Sequence, residues 1–255
     1  MRLPVGELAP SQALPQCDAL LLAAIRGVRE LIAERGRQTP IIAKIERHEA
    51  LENIEGIVAA ADGIMVARGD LVADIVRSTT GAQASLVNGG SLRTGLNKGE
   101  VTFRQIYAAL PFNSYLVAVK MSGKLLLETL EHGVSGVERG EGRFPQVSGI
   151  TFVFDRRRLV GRRIVSATVG GQPIDPQQEY SVATLDFIAA GGDGYTAFGQ
   201  AIRSGGDFVE IGGAMRSSRL VYNDSGQFLR DVVLDALAKD SPVAPVVDGR
   251  IVEEK

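Results

Sequence analysis

The sequence predicts an α+β protein in two parts: a short αβαβ segment over residues 1–70, then a mixed-sheet domain from Leu71 to Lys255. Three observations carry this reading. The first 70 residues alternate helical and strand periods in a βα-type order. After Asp70 the texture changes to strand-like segments joined by longer loops, with helices interspersed. A glycine-rich stretch, Ala189-Ala-Gly-Gly-Asp-Gly194, then interrupts the domain before a final helix and a proline-rich strand. There is no internal repeat and no low-complexity tract.

Taken in order, residues 18–35 place apolar side chains at 20, 21, 24, 25, 28, 31 and 32, the recurrence of an amphipathic helix, which Gly36 ends. Pro40 to Glu46 reads as a strand, Glu49 to Ala61 as a helix and Gly63 to Ala67 as a second strand. That order points to parallel pairing through a helical crossover. Beyond the seam at residues 68–72, a helix is expected over Leu71–Thr79 and a strand running into a glycine turn over Ala84–Gly90. A further helix is expected near Phe103–Leu110, with strands at 115–121, 150–154, 164–169 and 180–184. A last helix over Phe228–Lys239 and a strand ending at Ile251 complete the domain.

The bulk numbers exclude some classes of function. With 45% hydrophobic and 23% charged residues, the 255-residue chain is an ordinary globular protein. A net charge of −2 and a pI near 5.8 match neither nucleic acid nor an anionic membrane, so small molecules are the expected partners. The single cysteine, Cys17, excludes an intramolecular disulfide. Two histidines, His48 and His132, exclude histidine-rich metal cages. The longest early apolar run, Ala19–Ile25, is followed by Arg26 and Arg29 rather than a small-residue cleavage site. Neither signal peptide nor membrane span is expected, and the expected location is the cytoplasm.

Several residues could carry chemistry. Phe112 and Phe187 could sandwich a flat heterocycle, at roughly 1–3 kcal/mol per stacking partner, or simply fill the core. Asp193, in Gly-Gly-Asp-Gly, is either a presented carboxylate or an Asx turn. Asn88 and Arg93 bracket a Gly-Gly turn at the end of an apolar strand, where ligands gather in α/β sheets, although Asn-Gly-Gly alone is only a turn. An arginine there offers a fixed fork for phosphate or ribose oxygens. Arg156–Arg158 with Arg162 and Arg163 form a basic knot between two strands, best read as a solvated hairpin. His132, near a helix end, needs no special role.

Three segments in this order, Val87-Asn-Gly-Gly-Ser-Leu-Arg93, Leu110-Pro-Phe-Asn113 and Asp186-Phe-Ile-Ala-Ala-Gly-Gly-Asp-Gly-Tyr195, resemble the C-terminal domain of the 5′-nucleotidase family. Phe144–Gly149 and Asp248–Ile251 support the likeness, which spans residues 71–252. It implies a domain that recognises a nucleoside or nucleotide. Phe112 and Phe187 would stack the base, Asn88 would face it, Asp193 would take the ribose hydroxyls, and Arg93 would lie near phosphate or ribose. No cofactor is required for such binding. In this family hydrolysis belongs to a metallophosphoesterase domain with two metals, and no such segment is present in these residues. The resemblance therefore implies binding without hydrolysis by the chain alone, and a separate metallophosphoesterase subunit as partner. A further family arginine, upstream of the first helix, has no counterpart.

Residues 17–71 carry a second likeness. Ile41-Ile-Ala-Lys-Ile-Glu-Arg-His-Glu49 and Ala61-Asp-Gly-Ile-Met-Val-Ala-Arg-Gly-Asp-Leu71 resemble pyruvate kinase. They imply a fragment of its TIM-type barrel, with Lys44 at the transferring phosphoryl group or enolate and Glu46 and Asp70 on magnesium. A whole barrel needs eight strands, and this segment supplies two. Asp70 has a competing expectation, as N-cap of the helix that follows. Gly-Asp-Leu is common to both families at the seam, which implies a fusion or an assembly chimera made at that point. The alternative function is accordingly an incomplete phosphotransferase acting on phosphoenolpyruvate and ADP.

Overall fold

The computed structural model describes residues 17–36, 41–45, 56, 59–60, 63–66, 69–95, 101–240 and 248–254. The chain divides into two compact units, residues 1–66 and 67–255.

In the first unit, α1 (Cys17–Glu34) forms as its periodicity predicts. Ile25 is buried, whereas Val28 and Leu31 on the same apolar stripe stay half-exposed. The Arg29 guanidinium donates to the Ala60 carbonyl at 2.8 and 3.2 Å. Strands β1 (Ile42–Ile45) and β2 (Gly63–Val66) pair in parallel, with Lys44 opposite Met65. Glu46 and most of the intervening helix lie outside the described residues; Gly56, Ala59 and Ala60 are helical.

The second unit opens with α2 (Gly69–Thr80), two residues earlier than expected. Asp70 therefore sits inside the first turn rather than at the N-cap, and its Oδ1 accepts from the Leu71 amide at 2.9 Å. The helix is held because Val72, Ile75 and Val76 bury themselves, and burial of each such side chain contributes roughly 1.5–3 kcal/mol. Strand β3 (Ala84–Asn88) follows and is buried along its whole length. Its one hydroxyl, on Ser85, is satisfied by the Ala73 carbonyl at 2.6 Å.

Helix α3 (Phe103–Ala109) starts from a complete capping box, Thr102 with Gln105. Strand β4 (Tyr115–Ser122) leads directly into α4 (Gly123–Gly133), whose N-cap hydroxyl is Ser122. Then come β5 (Pro145–Ser148), β6 (Ile150–Phe154), β7 (Ile164–Val169), β8 (Gln172–Pro173) and β9 (Glu179–Leu185). Short α5 (Asp186–Ala189), α6 (Thr196–Arg203), β10 (Val209–Ile211), β11 (Ala214–Arg216), β12 (Leu220–Phe228), α7 (Leu229–Lys239) and β13 (Ile251–Glu253) complete it.

The architecture is the mixed-sheet α+β fold expected of this part. A five-stranded sheet has the order β12-β4-β9-β3-β5, and a four-stranded sheet the order β13-β6-β7-β8. In the first sheet β3 and β9 are parallel and the other pairs antiparallel. Leu86, Leu116, Val117, Val119, Val182 and Leu185 are fully buried in one continuous core. Among the described residues, no helix is long and apolar enough to cross a membrane.

These strand directions decide where loops meet. Because β3 and β9 are parallel while β4 and β5 run oppositely, the exits of β3, β9 and β12 share one sheet end with the entries of β4 and β5. The segments 88–93, 110–114, 142–145, 186–194 and 228–230 therefore converge there. The three motif segments singled out in the sequence are among them.

Candidate functional site

At this sheet end the Asn88 side chain is almost buried, with 3% exposure. Its Nδ2 donates to Asp193 Oδ2 at 2.5 Å, and its Oδ1 accepts from the Ser91 hydroxyl. Asn88 and Asp193 lie 105 positions apart, so the fold alone brings them together. The structure thus gives Asn88 a partner within the protein: its amide holds the carboxylate expected to meet ribose. Asp193 Oδ1 has no partner among the described residues.

The Gly-Gly turn needs its residues for close approach. Gly89 and Gly90 donate to the Phe144 and Gly142 carbonyls at 2.8 and 2.7 Å, clamping the turn against the 142–144 loop. Gly192 packs on Phe187, where an added Cβ would stand 2.5 Å from the ring. Phe187 and Phe112 are both about half-exposed, at 47% and 49%. A core role is excluded for both rings, since core aromatics here, such as Phe152 and Phe198, are at or below 2%.

Arg93 is anchored through its backbone amide to the Ala109 carbonyl, and its guanidinium lies over Phe112 at 5.9 Å from the ring centre. Such a distance is near the limit of a cation–π contact, about 0.5–1 kcal/mol at an exposed site, whereas a stacked base contributes ~1–3 kcal/mol. Phe112 also lines a narrow crevice with Ser91, Leu110, Ser114, Leu185 and Leu229.

Asp186 ties the two loops together by accepting from the Tyr115 amide at 3.2 Å. Burial pushes its carboxyl above the usual carboxylate range. Arg230 holds the Phe112 main chain. It donates to the Phe112 carbonyl at 3.1 Å and lies 4.9 and 4.8 Å from the Tyr107 and Phe228 ring centres. Neither Asp186 nor Arg230 is singled out by the sequence, because their partners are fixed only by the β4–β9 and β4–β12 pairings.

The basic knot is an exposed hairpin over residues 157–162, as read from the sequence, but its flanking arginines are paired. Arg156 pairs with Glu253, Arg157 and Arg158 with Asp155, and Arg163, only 5% exposed, with Glu138 and the Val134 carbonyl. Arg163 is a buried anchor because Glu131 also caps the amides of Arg163 and Ile164 at 2.9 and 2.8 Å. Among the described residues, no group of three or more His, Cys, Asp or Glu side chains could hold a metal ion.

A cavity of about 520 Å³ lies elsewhere, between α4 and the loop before β7, lined by Lys124, Leu127, Glu131, His132, Val160 and Pro176. It is an open apolar groove. The sheet end, with two half-exposed rings, a carboxylate and a guanidinium, is the better site on chemical grounds.

The chain is similar to known proteins. The profile of the family described as 5′-nucleotidase, C-terminal domain, matches residues 52–200, beginning upstream of Leu71, where the sequence reading starts the domain. The trifunctional nucleotide phosphoesterase protein YfkN of Bacillus subtilis is 32% identical over 183 residues, covering 69% of this chain and 11% of that protein. Human 5′-nucleotidase is 29% identical over 177 residues, covering 65% of this chain and 28% of its own length. The solved 5′-nucleotidase precursor of Thermus thermophilus superposes with a TM-score of 0.61 at 32% identity, over 73% of this chain and 35% of that one. The chain thus spans at most about a third of the length of these relatives. None of these comparisons supports the pyruvate kinase likeness of residues 17–71, or the barrel fragment it implies. The match over more than half of the chain, with the motif residues gathered at one sheet end, shows that the chain belongs to the 5′-nucleotidase C-terminal domain family.

Proposed function

We propose that this chain holds a nucleoside or nucleotide at the sheet end, with the base between Phe112 and Phe187, ribose hydroxyls on Asp193, and Arg93 beside phosphate or ribose. The observation that carries the reading is the pair of half-exposed phenylalanines delivered to one sheet end beside the Asn88–Asp193 pair. Exposing an aromatic ring forgoes burial worth roughly 1.5–3 kcal/mol, and two such rings beside a preorganised carboxylate are accounted for by a planar ligand with a diol. Stacking on two rings supplies roughly 2–6 kcal/mol before the cost of immobilising the ligand, which puts the affinity in the micromolar-to-millimolar range.

Phosphate ester hydrolysis requires an activated water, and the described residues offer no metal-holding cluster to make one. Hydrolysis in this reading is supplied by a metallophosphoesterase unit, in the same polypeptide or as a separate subunit, to which this domain presents its nucleotide. The alternative phosphotransferase reading finds no support, since the two parallel strands β1 and β2 do not close a barrel.

Ligand-observed NMR tests the proposal. Adenosine added to the full chain is expected to receive saturation from the aromatic protons, most strongly at the base. Equal transfer to adenosine in the Phe112→Ala, Phe187→Ala double variant would refute the stacking site.

A further inference from the structure

His132, in the last turn of α4, stands 61 positions from Asp193, yet its Nε2 lies 2.8 Å from the Asp193 carbonyl oxygen. A carbonyl only accepts, so the imidazole donates, and Nε2 must carry the proton. Asp193 is the one non-glycine among the described residues with a left-handed φ, +52°, a conformation that its neighbours must hold in place. The imidazole is itself seated firmly. Its ring meets buried Tyr195 edge-on, with centres 4.9 Å apart and planes at 74°, and the Tyr195 hydroxyl donates to the Arg143 carbonyl. Gly194, at φ +84°, presses its backbone on the ring so closely that a Cβ there would stand 2.8 Å from Cε1.

Asp193 is thus held at two points: Asn88 grips one carboxylate oxygen, and His132 grips the main chain behind it. We propose that His132 is a positioning residue for ribose recognition, keeping Asp193 in its left-handed turn so that the free carboxylate oxygen is available to a vicinal diol. This inference rests on the nucleoside reading of the site. Its mechanism is mechanical: without the donor, the turn relaxes toward ordinary backbone angles and carries the carboxylate with it.

The test compares the full-length wild type with His132→Leu, which removes the donor, and His132→Gln, whose amide nitrogen can donate to the same carbonyl. Adenosine and 2′,3′-dideoxyadenosine are titrated into each. The wild type is expected to prefer adenosine by about tenfold, the yield of one good hydrogen-bonded contact. His132→Leu should bring the two ligands to within ~3-fold of each other, a loss of ~0.7 kcal/mol or more of discrimination. His132→Gln should restore most of the preference. A histidine that merely supports the fold would lower the melting temperature without moving that ratio, so an unchanged ratio in His132→Leu overturns the proposal.

A second readout needs no ligand. In ¹⁵N spectra the Asp193 and Gly194 amides should shift in His132→Leu and return in His132→Gln. If wild type binds neither nucleoside, the nucleoside reading fails and the ribose role falls with it, while unmoved amides in His132→Leu would separately overturn the hold of His132 on the Asp193 turn.

Discussion

Replacing Asn88 by Asp exchanges an amide nitrogen for an oxygen and reverses the interaction at the centre of the site. In the wild type a neutral amide donates to the Asp193 carboxylate at 2.5 Å. Asn88→Ala removes that bond, and loss of a hydrogen bond to a charged group costs roughly 1.5–3 kcal/mol. Asn88→Asp loses the same bond and sets two carboxylates face to face. Relaxed to about 4 Å, they repel by ~1 kcal/mol at the dielectric of water and by ~4 kcal/mol at an effective dielectric of 20. Because Asp193 is exposed while position 88 is buried, the figure falls between, at about 2 kcal/mol.

The expected order of stability is therefore wild type, then Asn88→Ala, then Asn88→Asp, with steps large enough to read by urea denaturation. Salt separates the two effects: about 0.5 M NaCl shortens the screening length to a few ångströms, so it should narrow the gap between the variants and leave the alanine step intact. Adenosine affinity should follow the same order. If Asn88→Asp is as stable as Asn88→Ala at low salt, the Asn88–Asp193 pair does not organise the site.

Two further outcomes are expected. Asp186 is partly buried with its carboxyl held above the usual range, so its folded state takes up a proton at higher pH than its unfolded state. Its contribution to stability is full below the unfolded value and declines as pH rises through the folded one. Asp186→Asn keeps an acceptor for the Tyr115 amide without the buried charge, and should be more stable than wild type near neutral pH and equal to it below the usual carboxylate range, by urea titration. Lower stability near neutral pH would show that the charge is needed. Gly194→Ala meets both a φ of +84° and the His132 ring, and a left-handed non-glycine residue costs roughly 1–2 kcal/mol before the clash. Its denaturation midpoint should fall accordingly, and an unchanged midpoint would mean that the Asp193 loop is not held against α4.

Legibility in the sequence differs from element to element. Strands 150–154 and 164–169 emerge with the expected bounds, because β6 alternates exposed Thr151 with buried Phe152 and Phe154 and β7 is rich in β-branched residues. Strand β12 is invisible beforehand. It contains Asn223, Asp224, Ser225 and Gly226, turn-forming residues that are extended only because an edge of β4 is available to pair with. Helix α6, with Gly199 in its middle, likewise depends on packing against β4 and α4. At the site, residue types were legible and partnerships were not. Phe112, Phe187, Arg93 and Asp193 stand out by local motif. The bonds from Asn88 and His132 to Asp193 span 105 and 61 positions and arise from strand order alone. Short motifs also misled: the Lys44 and Asp70 segments look like another family, while the nucleotidase match begins at residue 52 and takes in the second of them.

Whether the sheet end binds a nucleoside between two rings is decided by calorimetric titration of the full chain with adenosine and AMP. Saturable, magnesium-independent heat is expected, with a micromolar-to-millimolar dissociation constant, weakened about tenfold or more by Phe112→Ala or Phe187→Ala alone. A folded wild type that gives no heat with either ligand, or variants that bind as tightly as it does, would show that the two rings are not a nucleoside site.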